Sequence, residues 1–177
     1  MTKVELDKIR LHKKWPFRIW SFFERYFLVI FPLGISIVSF SMMKLGIINN
    51  DIQLIAIGSI TFILSFLITI LIFKTLYNNQ FFKNYRIENL TIEKIETSLD
   101  KCSFENFHYY KLGYYEIITE VSWLSWGGLI TIIPNGNELL INYKSQGLNG
   151  VNLPYVNLKD KKKLKKLILV LNSDVNF

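Results

Sequence analysis

The chain is short of the residues from which most active sites and metal centres are built. It has one cysteine, Cys102, which excludes an intramolecular disulfide and a cysteine-based zinc cluster and fits a reducing compartment. It has two histidines. His12 lies in a basic leader and His108 in "ENFHYYK", so there is no histidine pair to bind zinc or organise a catalytic triad. The glycines of "PNGN" and "GLNG" lack the strand, Gly-Lys-Ser/Thr and helix context of a phosphate loop. Glu116 and Glu120 share a strand face, yet four residues span about 13 Å along a strand, too far for paired acid and base chemistry of the glycosidase kind, where about 5 to 9.5 Å is usual. These absences point away from an enzyme, and no cofactor is expected.

Charge is also missing, from two long runs. Ile52 to Phe73 contains 22 residues without an ionisable side chain, and Tyr26 to Met43 contains 18. A hydrocarbon core about 30 Å thick needs roughly 20 helical residues to cross it. Both runs read as transmembrane helices, about 26–46 and 52–74, joined as a hairpin over residues 26–76. The basic flank before the first run is long and no small-residue cleavage site follows it, so it reads as a span and not a signal peptide. With no Asp, Glu, Lys, Arg or His inside either run, the usual mark of an ion pathway is missing. Thr61, Ser65 and Thr69 fall on one helical face, a spacing that permits close approach within the hairpin or between copies in a homo-oligomer.

The formal charge of +7 is unevenly placed: residues 1–22 carry six basic and two acidic groups, while residues 77–177 carry twelve and ten. The excess sits beside the first span, where lipid explains it better than nucleic acid. Residues 1–25 therefore read as an interfacial segment, with Lys13, Lys14, Trp15, Arg18 and Trp20 at the membrane interface. The distribution of Lys and Arg places both termini in the cytoplasm, as expected for a bacterial inner-membrane protein.

After Lys74 the pattern changes to that of an α+β domain, residues 77–177. "NLTIEKIETSLDKCSF" places Ile92, Ile95, Leu99 and Cys102 on one helical stripe, with Thr91 or Asn89 as the cap. "GYYEIITEVSW" alternates as a strand. "GGLITIIPNGNELLINYK" is a β-hairpin signal, two β-rich runs about Pro-Asn-Gly-Asn. "NLKDKKKLKKLILVLNS" is a helix with Leu164, Leu167, Ile168 and Leu171 inward; its lysine face is either solvated or open to anionic lipid or an acidic partner. "SWLSWGG" sets Trp123 and Trp126 near Tyr114 and Tyr115, side chains of the kind enriched at protein interfaces. Those four are the expected partner-binding residues.

The order of two spans, helix, "SWLSWGG", hairpin with "LLINYKS" and Lys-rich terminal helix resembles small two-span bacterial membrane proteins carrying a cytoplasmic α+β domain. It also looks loosely like membrane proteins with a pleckstrin-homology-like domain. Such a resemblance implies a membrane α-helical hairpin followed by an antiparallel sheet and a C-terminal helix, and it brings no catalytic motif. The expected function is a non-enzymatic integral membrane protein presenting a cytoplasmic protein-binding module. An immunity protein against an antibacterial toxin and a ligand-responsive membrane effector that oligomerises are the alternatives.

Overall fold

A computed structural model describes residues 1–17, 19–104, 106–119, 127–145 and 158–173, with the backbone alone for residues 19–25 and 158. The elements are α1 (Lys3–His12), α2 (Ile19–Asn49), α3 (Ile52–Asn78), β1 (Lys83–Arg86), α4 (Ile92–Lys101), β2 (Phe107–Tyr110), β3 (Tyr114–Thr119), β4 (Gly128–Asn135), β5 (Glu138–Ser145) and α5 (Leu158–Ser173). They form two compact units, residues 18–78 and residues 1–17 with 79–177. The leader's first 17 residues group with the α+β unit.

In the helical unit, α2 runs unbroken through Pro32 and past Gly46 to Asn49. Asp51 then caps α3, its Oδ1 accepting from the backbone N–H of Gln53 at 3.0 Å and Leu54 at 3.1 Å. The two helices meet along a seam of small residues. Ser36 and Ser39 of α2 and Gly58, Ser65 and Thr69 of α3 are buried, and the Ser36 and Ser65 hydroxyls lie 2.8 Å apart in a hydrogen bond. Thr69 donates back to the Ser65 carbonyl at 2.8 Å. Tyr26 stacks on Phe73 at 5.1 Å near the hairpin's open end. Of the expected face, Ser65 and Thr69 are in the seam, while Thr61 is only partly buried and donates to the Ile57 and Gly58 carbonyls.

The α+β unit is a five-stranded antiparallel sheet in the order β1-β5-β4-β3-β2. On one face α4 and α5 bury Ile95, Leu99, Leu167 and Leu171 against Tyr115, Ile117, Ile130, Ile132, Leu139 and Ile141. Thr91 caps α4, its Oγ1 accepting from Lys94 N–H at 3.2 Å. Ile92, expected in the core stripe, is exposed, because it precedes the first full turn over the sheet. On the other face α1 buries Leu6 and Ile9 against Tyr114, Ile133, Leu140 and Phe82. A capping box starts α1: Thr2 N–H donates to Glu5 Oε2 at 2.9 Å and Glu5 N–H to Thr2 Oγ1 at 3.3 Å. Lys13 ends it in the left-handed conformation, φ 53°.

The lysine face of α5 is partly occupied within the fold. Lys163 Nζ donates to the Ser103 carbonyl at 2.8 Å and Lys166 Nζ to the Lys101 carbonyl at 3.5 Å. Both cations sit at the C-terminus of α4, where carbonyls lack helical partners and the helix dipole favours positive charge. Cys102 lies buried beneath them; burial pushes its thiol pKa up, against the pull of Lys166 and Lys163.

Candidate functional site

The three interior strands meet in one row at an end of the sheet, where β3 and β5 finish and β4 begins. Thr119 of β3 pairs with Gly128 of β4, and Gly128 with Ser145 of β5. Residues 120–126, between β3 and β4 in the chain, and residues 146–157, between β5 and α5, lie outside the described residues. Asp160, in the first turn of α5, joins β3 to β5: its Oδ2 accepts from Thr119 Oγ1 at 2.8 Å and from the Tyr143 hydroxyl at 3.1 Å. The carboxylate is buried, 4% exposed. Such a group is tolerable because both donors are hydrogen-bonded to it and because it lies at a helix N-terminus.

Gly128 makes the arrangement possible. A Cβ built there would lie 2.7 Å from Tyr143 Cε2 and 2.8 Å from its hydroxyl oxygen, so only glycine lets the ring cross the backbone and reach Asp160. Chemically the cluster is a structural support, since Asp160 accepts hydrogen bonds that hold β3, β5 and α5 together. Replacing Asp160→Ala removes the acceptor of the buried Thr119 hydroxyl and a hydrogen bond of the half-buried Tyr143, and should cost about 2 kcal/mol. Chemical denaturation of the purified protein measures this, and Asp160→Asn should recover part of the loss.

Trp123, Trp126 and Glu120 lie outside the described residues. Tyr114 and Tyr115 require correction: they are 2% and 0% exposed. Consecutive strand residues point to opposite faces, and here both faces are covered. Tyr114 packs beneath α1 and stacks on Tyr110 at 4.5 Å. Tyr115 packs on the α4 side and its hydroxyl donates to Glu96 Oε1 at 3.3 Å. Burial pushes the Tyr114 hydroxyl pKa up to about 12, with Glu116 and then Tyr110 adding to the effect; Tyr115 is also raised, chiefly by burial. Both are core residues.

The expected membrane-interface residues divide. Lys13 Nζ contacts Glu138 Oε2 at 3.0 Å, and Glu138 is held below the usual carboxylate range by hydrogen bonds from Asn84 and Lys13. Trp15 Nε1 donates to Asn142 Oδ1 at 2.9 Å, its ring lies 5.2 Å from Phe82, and Lys144 Nζ stands 3.6 Å above it. Lys13 and Trp15 are therefore engaged within the α+β unit. Lys14 is exposed and bridges Phe81 through its backbone. Arg18 and the side chain of Trp20 lie outside the described residues.

This region holds a feature that sequence reasoning missed. The segment entering the helical hairpin pairs antiparallel with the one leaving it: Phe82 N–H donates to the Lys13 carbonyl at 2.7 Å and Trp15 N–H to the Gln80 carbonyl at 3.0 Å. Asn142 of β5 holds both. Its Nδ2 donates to the Asn79 carbonyl at 2.9 Å and the Phe81 carbonyl at 2.8 Å, while its Oδ1 takes the Trp15 indole N–H. The available signal was a lone amide inside the apolar run "LLINYK".

Among the described residues no cluster of three or more His, Cys, Asp or Glu could hold a metal ion. No protein-family model, curated protein or solved structure matches this chain.

Proposed function

We propose that this chain is a non-enzymatic integral membrane protein whose hairpin α2–α3 crosses a bacterial inner membrane and carries a cytoplasmic protein-binding module. The observation that carries the reading is the inverted polarity of the hairpin. Hydroxyls meet in its seam, at Ser36 and Ser65, while Ile30, Val38, Phe40, Ile60, Leu64 and Leu71 point outward. Only 17% of the most apolar window of either helix is buried. Water would penalise that surface at about 25 cal/mol per Å2 of apolar area, whereas hydrocarbon does not.

The paired entry and exit segments support a hairpin whose two ends emerge on one side. Lys and Arg in the flanks make that side cytoplasmic. The partner-binding residues are Trp123 and Trp126, which follow β3 and precede β4 in the chain, next to a rigid strand end. Asp160 and Gly128 supply that rigidity.

The test is mass spectrometry of the full-length protein purified gently from its native membrane. The chain is expected to stay in the membrane through alkaline carbonate washing, and protein purified without that wash is expected to carry a stoichiometric protein partner. Trp126→Ala should remove the partner without lowering the thermal midpoint, as truncating an interface anchor costs at least about 2 kcal/mol of binding. A chain released by carbonate overturns the membrane reading, and a chain that stays in the membrane with no bound protein overturns the partner reading.

A further inference from the structure

Helix α1 has a second apolar ridge that its packing leaves unused. Leu6 and Ile9 face the sheet. At 3.6 residues per turn the opposite direction is taken by Val4 and Leu11, which are 64% and 75% exposed. Seven residues separate them, so they lie in line along the helix. Lys8 stands beside them, with Lys3 and Lys14 also exposed. The nearby acidic group, Asp7, lies 3.9 Å from the Arg10 guanidinium.

We propose that this outer face of α1 lies in the interfacial layer of an anionic bilayer. Val4 and Leu11 enter among the headgroups, and Lys3 and Lys8 meet lipid phosphates. The proposal rests on reading α2–α3 as membrane spans. Connectivity and charge select lipid over a protein occupant. Leu11 is eight residues from Ile19, where α2 begins, and eight residues reach at most about 29 Å even when fully extended. A tether that short keeps the local membrane concentration high. A ridge of separated apolar side chains flanked by lysines is also the composition of an interfacial helix. This surface takes the role that composition had given to Lys13 and Trp15, which are occupied with Glu138 and Asn142.

The test uses the full-length protein with Leu11→Cys carrying a nitroxide, in nanodiscs of phosphatidylcholine with phosphatidylglycerol. Buried Cys102 stays unlabelled under native conditions. Power saturation compares relaxation by oxygen, which concentrates in lipid, with that by a water-soluble nickel chelate. The oxygen-to-nickel ratio at Leu11→Cys should be several-fold above that at the exposed turn position Asn137→Cys. It should fall towards the latter in pure phosphatidylcholine or in the double variant Lys3→Glu, Lys8→Glu. A label open to nickel in the anionic nanodisc overturns the proposal. So does a label shielded from both reagents, which would mean that a second copy or another protein covers α1. Leu64→Cys, in α3, separates the two readings: an oxygen-rich signal there with a water-exposed Leu11 removes only the α1 contact. Nickel access at Leu64 removes the spanning hairpin and this proposal together.

Discussion

Asn142→Leu should lower the stability of the α+β unit by about 3 kcal/mol, the largest loss expected from a single polar residue in it. Leucine matches the amide in size but returns none of its hydrogen bonds. The carbonyls of Asn79 and Phe81 and the indole N–H of Trp15 lose their partner at once. A half-buried indole donor left unpaired carries its own desolvation cost, while the two carbonyls lose what held them to β5. The effect should be local in its first stage. Hydrogen exchange ought to accelerate at Trp15 and Phe82, whose N–H groups join the entry and exit segments, before it rises in β4. Unchanged exchange at both, with unchanged stability, would show that the backbone pairing holds without the amide.

Gly58→Leu should separate α2 from α3, at a cost of about 3 kcal/mol, the upper range for overpacking. A Cβ at Gly58 would lie 2.9 Å from Met43 N and 3.1 Å from the Ser39 carbonyl oxygen. Both are backbone atoms of the facing helix, so no side chain can turn aside and the helices must part. Parting them breaks the Ser36–Ser65 hydrogen bond at the next turns of the seam. Gly34→Leu is the control, because a Cβ there meets nothing within 4 Å. Unfolding in mixed detergent micelles should shift strongly for the first substitution and little for the second. Equal shifts would mean that helix propensity, and not the seam, governs the hairpin.

These positions show what was legible in the sequence. The β4–β5 hairpin was readable because strand-forming runs and a tight reversal agree, and the observed register pairs Asn135 with Glu138 about Gly136 and Asn137. Helices α4 and α5 were readable from Ile95, Leu99, Leu167 and Leu171, which keep a 3.6-residue period. Strand β1, "KNYR", was not: four residues with no apolar alternation become a strand because β5 offers them an edge, from Lys83 opposite Ile141 to Arg86 opposite Glu138.

Helix α1 left a signal in Thr2 and Glu5, spaced as a capping box. Its two core residues, Leu6 and Ile9, are too few to outweigh the basic and aromatic composition that follows. Missing α1 led directly to misplacing Tyr114. A sheet with one covered face would have left one of two adjacent tyrosines at the surface, and α1 covers the second face. The Asp160 support was hidden for a different reason. An aspartate in the first turn of a lysine-rich helix reads as solvated until β3 and β5 bring Thr119 and Tyr143 to the same oxygen.

The most direct test of the account is the side of the membrane on which each turn lies. In bacterial cells producing the full-length protein, Asn50→Cys places a thiol in the turn between α2 and α3, and Asn137→Cys places one in the β4–β5 turn. Buried Cys102 contributes no background. A membrane-impermeant maleimide should label Asn50→Cys in intact cells and Asn137→Cys only after lysis. Labelling of Asn137→Cys in intact cells, or of Asn50→Cys only after lysis, would contradict a spanning hairpin with a cytoplasmic domain.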